Sequence, residues 1–200
     1  MGRFRRSSNR KQYATLIMII LIVLAGTIVC VFWKGAEAVS SYTGTNVDYD
    51  RIIREAAQRN QVDPRLLKAV IWRESRFDPM TEGKAGEVGL MQIMPDKAVV
   101  DWARAKGKEV PVRAALFDPE LNVEIGSWYL GRALRRWNKY RDCYVLALCE
   151  YNAGLTRANK WKPADPNADV RKRITIPSTR TYVNDIMDRY EKYKQSWDLD

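Results

Sequence analysis

Histidine is absent from all 200 residues. With no imidazole there is no Ser-His-Asp triad, no Cys-His pair, no His-liganded zinc and no histidine general base, so proton transfer falls to carboxylates, Tyr, Lys or Cys. Cysteine is scarce as well: only Cys30, Cys143 and Cys149 occur. The last two lie six positions apart in a stretch that reads as one helix, which separates them by about 9 Å along the axis and puts them on different faces. A disulfide between them is excluded, and they read as small buried hydrophobes. Strand-like alternation never lasts more than a few residues, and no internal repeat is visible. What remains is 46% apolar, with ten tyrosines and seven tryptophans, enough to fill a real core.

The net charge of +10 suggests a nucleic-acid binder until it is divided. Residues 1–33 hold Arg3, Arg5, Arg6, Arg10 and Lys11 and no acid, so half of the excess lies in the first eleven positions. Next comes Ala14 to Trp33, twenty residues without a charge. As a helix that run spans about 30 Å, the hydrocarbon thickness of a bilayer. The arm therefore reads as the cytoplasmic flank of a membrane helix, not as a phosphate grip.

The run is longer than a cleavable signal needs and ends in the aromatic pair Phe32-Trp33, which suits an interface anchor. Cleavage after Ala36-Glu37-Ala38 is the competing reading, and Val29 before Cys30 argues against lipidation. The expected organisation is a cytoplasmic basic arm (1–13), a transmembrane signal-anchor (14–33), a linker (34–47) and one extracytoplasmic domain (48–200).

Within that domain the punctuation is helical. Asp63-Pro64, Met94-Pro95 and Asp118-Pro119 each put Pro where a first helical turn tolerates it, and in two of them Asp supplies a cap. A 3.6-residue spacing runs through Leu67, Val70 and Ile71, through Ile125, Trp128, Ala133, Leu134 and Trp137, and through Tyr182, Val183, Ile186, Met187 and Tyr190. Lys160 to Ile176, with two prolines, reads as a long loop, and the glycines around Gly83 to Gln92 leave room for a small β element. The expected fold class is mainly α with a small β element.

Glu74 follows Leu67, Val70 and Ile71 by seven, four and three positions, so it falls on the apolar face of its helix near the C-terminal end. Burial and the negative end of the helix dipole both raise the pKa of a carboxyl there, which is what a general acid needs. Pairing with Arg73 or Arg76, merely closing the helix, is the competing reading of the same position. Further along, Gly89-Leu90-Met91-Gln92-Ile93-Met94-Pro95 carries a single amide side chain, and Glu150-Tyr151-Asn152-Ala153-Gly154 ends a helix at a glycine. Amides and tyrosine suit sugar hydroxyls and N-acetyl groups, and Met and Trp side chains offer flat apolar surfaces for sugar faces.

Taken together, Glu74-Ser75 after an apolar helix, GLMQIMP at 89 to 95, YNAG at 151 to 154 and the late Thr179-Arg180-x-Tyr182-Val183 resemble the soluble lytic transglycosylase catalytic domain, a lysozyme-like family related to goose-type lysozyme. The resemblance covers roughly Asp48 to Tyr190. It implies a lysozyme-like helical fold and cleavage of the β-1,4 bond between N-acetylmuramic acid and N-acetylglucosamine in peptidoglycan, without water, leaving 1,6-anhydromuramic ends. It makes Glu74 the single catalytic acid and then base, with Ser75, Met91, Gln92, Tyr151, Asn152 and Tyr182 around the substrate. No metal and no cofactor is implied. The partners would be glycan strands and, through residues 14–33, the bacterial cytoplasmic membrane, with the domain on its periplasmic side and no nucleic acid.

Four positions depart from the family pattern: Gly83 for a frequent Ser, Glu87 for a usual Ala, Glu150 for a small residue, and Ser178 for a frequent acid. Glu150 reads either as a relocated accessory carboxylate or as a solvated charge on the rim. A second carboxylate such as Glu82, Glu87 or Glu150 leaves open a lysozyme-type hydrolase. A non-catalytic wall-binding protein on the same shell is the remaining alternative.

Overall fold

The computed structural model describes residues 47–197. The basic arm, the signal-anchor at 14–33, Cys30 and all but the last residue of the linker lie outside the described residues. Among the described residues no helix is long and apolar enough to cross a membrane.

Among the described residues there are seven α-helices: α1 (Tyr49–Asn60), α2 (Pro64–Ser75), α3 (Val100–Lys106), α4 (Pro119–Trp137), α5 (Cys143–Ala153), α6 (Leu155–Trp161) and α7 (Pro177–Ser196). The proline signals hold at each expected start. Asp63 caps α2 by accepting from the Arg65 amide at 2.8 Å, and Asp118 caps α4 by accepting from the Leu121 amide at 2.8 Å. Pro95 opens a π-helical turn, Pro95–Val99, that runs directly into α3.

Two expectations need correction. The region around Gly83 to Gln92 contains no strand: pairing there is limited to isolated antiparallel bridges, Glu82 with Val88 and Val88 with Ile93. Its backbone is held by turns and by side chains instead of a ladder. The stretch 160–176 is not wholly loop either. Helix α6 extends to Trp161, and a 3-10 turn occupies Arg171–Arg173.

The core forms where α2 packs on α7, α4 on α5 and α1, and α5 on α6 and α7. Leu66, Leu67, Ala69, Val70 and Ile71 of α2 are fully buried, each large side chain contributing about 1.5–3 kcal/mol by leaving water. Polar ties fix the packing: Asn60 Nδ2 donates to Ser127 Oγ at 2.9 Å between α1 and α4, and Tyr190 Oη donates to Asp63 Oδ2 at 2.9 Å between α7 and the start of α2. Both α5 cysteines are free thiols, with Cys149 buried and Cys143 half-buried. Burial pushes the Cys149 thiol up to about 12, so it behaves as a hydrophobe.

Candidate active site

Helix α2 stops just after Glu74. Arg76 and Phe77 take consecutive left-handed conformations, with φ of 57° and 67°, and turn the chain away. The last turn of α2 therefore faces a cavity of about 270 Å³, lined by Glu74, Gly83, Lys84, Glu87, Gln92, Met94, Tyr151 and Asn152. A second hollow of about 300 Å³ shares Gln92, Met94, Tyr151 and Asn152 with the first and continues past Lys97, Tyr129, Glu150 and Arg157. The two are lobes of one cleft.

Tyr182, on the first turns of α7, donates a 2.6 Å hydrogen bond to Glu74 Oε1. Burial raises the Glu74 carboxyl to about 7, against opposing effects of the Tyr182 hydrogen bond and the Arg73 guanidinium, and the negative charge of Glu87 adds to the rise. Arg73 itself is turned aside, with Nε donating to Asp185 Oδ2 at 3.0 Å, so Glu74 does not close its helix by pairing there. Burial also keeps the Tyr182 and Tyr151 phenols protonated, well above the usual tyrosine range. Both remain donors.

The other expected residues divide into two groups. Gln92, Tyr151 and Asn152 line both lobes. Gln92 sits at φ 46° and its amide donates to the Thr81 and Gly89 carbonyls at 3.0 and 2.9 Å. Tyr151 Oη donates to the Met91 carbonyl at 2.8 Å, and its ring stands edge-on to Tyr129. Asn152 Oδ1 accepts from Thr179 Oγ1 at 2.8 Å, which ties α5 to α7 beside the cleft.

Met91 and Ser75 lie elsewhere. Met91 is fully buried under α4, where a Cβ on Gly126 would collide with its side chain, so it supports the cleft through its backbone and offers no surface to a sugar. Ser75 is buried and its hydroxyl donates to the Ile71 carbonyl at 3.2 Å, one turn back along α2. Glu150 is not a solvated rim charge. It is 2% exposed, and its Oε2 accepts from Trp137 Nε1 at 2.8 Å and from Arg136 Nε at 3.2 Å.

Sequence reasoning missed two residues. Met94, not Met91, supplies the apolar thioether that lines both lobes. Asn122 of α4 is fully buried and organises the cleft loop: Nδ2 donates to the Val88 and Leu116 carbonyls at 2.9 and 2.7 Å, and Oδ1 accepts from the Met91 amide at 2.9 Å. Its one local signal was an amide flanked by apolar positions one turn into α4. Among the described residues no group of three or more Cys, Asp or Glu is placed to hold a metal ion.

The chain is 40% identical over 83 residues to membrane-bound lytic murein transglycosylase C of Edwardsiella ictaluri, which covers 41% of the chain and 23% of that relative. It is 33% identical over 91 residues to membrane-bound lytic murein transglycosylase E of Buchnera aphidicola, covering 45% and 41%. It thus spans less than half the length of these relatives. Among solved structures, an inactive glutamate-to-glutamine mutant of the lytic transglycosylase Slt from Pseudomonas aeruginosa superposes with a TM-score of 0.65 at 26% identity, over 72% of the chain and 24% of that protein. The 70 kDa soluble lytic transglycosylase of Escherichia coli shares the fold with a TM-score of 0.63 at 24% identity, over 74% and 24%. The model of the transglycosylase SLT domain matches residues 51–174, and the chain belongs to that family.

Proposed function

We propose that the protein is a peptidoglycan lytic transglycosylase. It cleaves the β-1,4 bond between N-acetylmuramic acid and N-acetylglucosamine and leaves 1,6-anhydromuramic ends. The observation that carries this reading is the half-buried Glu74 carboxyl at about 7, held by the Tyr182 hydroxyl at 2.6 Å on the wall of a cleft. Near neutral pH such a group exists in both protonation states, as a residue acting first as acid and then as base must.

In the first half of the reaction Glu74 protonates the glycosidic oxygen and the bond to the muramic anomeric carbon breaks. In the second, the muramic 6-hydroxyl attacks that carbon and its proton passes to the Glu74 carboxylate. The nucleophile belongs to the same sugar, so its effective concentration is high and no water is consumed. Tyr182 donates to the carboxylate as its charge returns. Gln92, Tyr151 and Asn152 line the sugar-binding lobes, with Met94 giving them an apolar face. Ser75 and Met91 support them from behind.

Membrane attachment is part of the proposal. The uncharged run 14–33 behind a basic arm supports a single-pass anchor with residues 48–200 on the periplasmic side, and the curated relatives named above are called membrane-bound. The test is mass analysis of muropeptides released from purified sacculi by the full chain in detergent. Anhydromuramic products that vanish in Glu74→Gln are expected. Reducing-end products would instead mark a hydrolase, and an undiminished Glu74→Gln would remove Glu74 from the mechanism.

A further inference from the structure

Three carboxylates besides Glu74 are near enough in sequence to the cleft motifs to join it, and the structure separates them. Glu82 is exposed and bridged to Arg113 Nη2 at 2.6 Å. Glu150 lies in the other lobe, buried and held by Trp137 and Arg136. Glu87 alone of the three lines the cavity that contains Glu74.

Its position is built, not incidental. The Glu87 Oε2 atom accepts from the Ala85 amide at 3.0 Å, and the Glu87 carbonyl accepts from the Gly83 amide at 2.9 Å. Arg113 clamps the same loop by donating to the Gly86 carbonyl at 2.9 Å, and Asn122 holds the next residue through the Val88 carbonyl. Gly83 is what leaves space for this carboxylate. A Cβ there would collide with Glu87 Oε2 and stand 2.8 Å from Gln92 Oε1. The two departures, Gly for Ser at 83 and Glu for Ala at 87, are thus one feature: the missing side chain admits the added one.

We infer that Glu87 is a second working carboxylate of the cleft, acting beside Glu74 to stabilise positive charge at the anomeric carbon, and that Gly83 is its positioning residue. The inference rests on the assignment of Glu74 as the acid. When Glu74 gives its proton to the glycosidic oxygen, the breaking carbon-oxygen bond leaves positive charge shared between the anomeric carbon and the ring oxygen. A negative charge fixed on the cleft wall stabilises that developing positive charge without forming a bond. The 6-hydroxyl then closes on the carbon and its proton returns to Glu74, so Glu87 ends the cycle unchanged.

A carboxylate also acts on Glu74 itself. The charged and titratable groups around Glu74 are Arg73 on its own helix, Tyr182 from α7, Tyr151 from α5, and Glu87 and Lys84 from the loop. Of these, Glu87 raises the Glu74 pKa through its charge. Removing that charge moves the alkaline limb of activity to lower pH, a displacement that a merely structural residue would not cause.

The experiment compares the full chain in detergent with Glu87→Gln, Glu87→Ala, Gly83→Ala, the Gly83→Ala/Glu87→Ala double variant and Glu74→Gln on solubilised glycan strands. Glu87→Gln is expected to lower kcat about tenfold or more with KM within about twofold, and to shift the alkaline limb of kcat/KM downward. Gly83→Ala should reproduce much of that loss and add little to Glu87→Ala. Parent kcat and an unmoved pH profile in Glu87→Gln overturn the inference. Losses that add in full mean that Gly83 acts through Gln92, and its assigned role falls. Reducing-end products that disappear in Glu87→Gln overturn charge stabilisation in favour of a base that activates water. If Glu74→Gln is inactive while Glu87→Gln equals the parent, only this inference fails. If Glu74→Gln keeps full rate, the proposed function fails first.

Discussion

The Tyr182 hydroxyl reaches across from α7 to donate a 2.6 Å hydrogen bond to Glu74 Oε1, joining residues 108 positions apart at the wall of the cleft. That bond favours the carboxylate, so it opposes the effect of burial on Glu74. In Tyr182→Phe the opposition disappears and the Glu74 pKa rises further above its ordinary value. The alkaline limb of kcat/KM should move to higher pH, while kcat falls about tenfold or more because the carboxyl is no longer oriented. Rate measurements on glycan strands from pH 5 to 9 check both. An unmoved limb would mean that the phenol does not act on Glu74 in the working enzyme.

Glu74 also makes stability depend on pH, with a sign opposite to that of a salt-bridged carboxylate. Its pKa is about 7 folded against an ordinary 4.5. Between those values the folded state holds the proton and the unfolded state does not, so stability falls as pH rises and levels off above about 7. Glu74→Gln removes the burden. It should be inactive, yet about 1–3 kcal/mol more stable than the parent at pH 8 and little different near pH 4.5. Urea unfolding at the two pH values measures the difference. Equal stabilities at pH 8 would contradict the raised pKa.

What could be read in the sequence was local. Asp63-Pro64 and Asp118-Pro119 mark helix starts because cap and proline act within one turn, and Glu74 stands out because a 3.6-residue period is a property of its own helix. What escaped was set by the tertiary fold. A Met-rich run does not say which thioether faces the cleft: the family pattern points to Met91, but Met91 packs under Gly126 and Met94 takes the lining position. Helix α6 was missed because its sequence has little apolar face; only Ala158 and Trp161 are buried. The clustered glycines of the 83–92 loop leave room for a small β element, whereas the segment pairs only through isolated bridges, and Asn122 of α4 holds its Val88 carbonyl and Met91 amide.

Asn122 carries the next prediction. It is fully buried and makes three hydrogen bonds to backbone groups of Val88, Met91 and Leu116. In Asn122→Ala the Met91 amide and the Leu116 carbonyl lose this partner, while the Val88 carbonyl keeps the Ile93 amide at 3.1 Å, and an unsatisfied buried polar group costs about 1–3 kcal/mol. The loop carrying Gln92 and Glu87 should loosen. A lower urea midpoint together with faster amide exchange at Met91 is expected. A midpoint unchanged from the parent would show that water replaces the amide without loss.

Glu150 distinguishes a cleft carboxylate from a structural one. Its Oε2 accepts the buried Trp137 indole at 2.8 Å and the Arg136 guanidinium at 3.2 Å, so it locks the end of α4 to α5. Glu150→Gln keeps an acceptor for the indole and removes only the charge. Turnover should stay within about twofold of the parent, since no bond to Trp137 is lost. Glu150→Leu instead strands the indole N–H and the guanidinium, and should destabilise the fold by about 1–3 kcal/mol. Calorimetry of both variants, beside their rates on glycan strands, separates the roles. If Glu150→Gln folds normally but turns over tenfold more slowly, the carboxylate belongs to the chemistry after all.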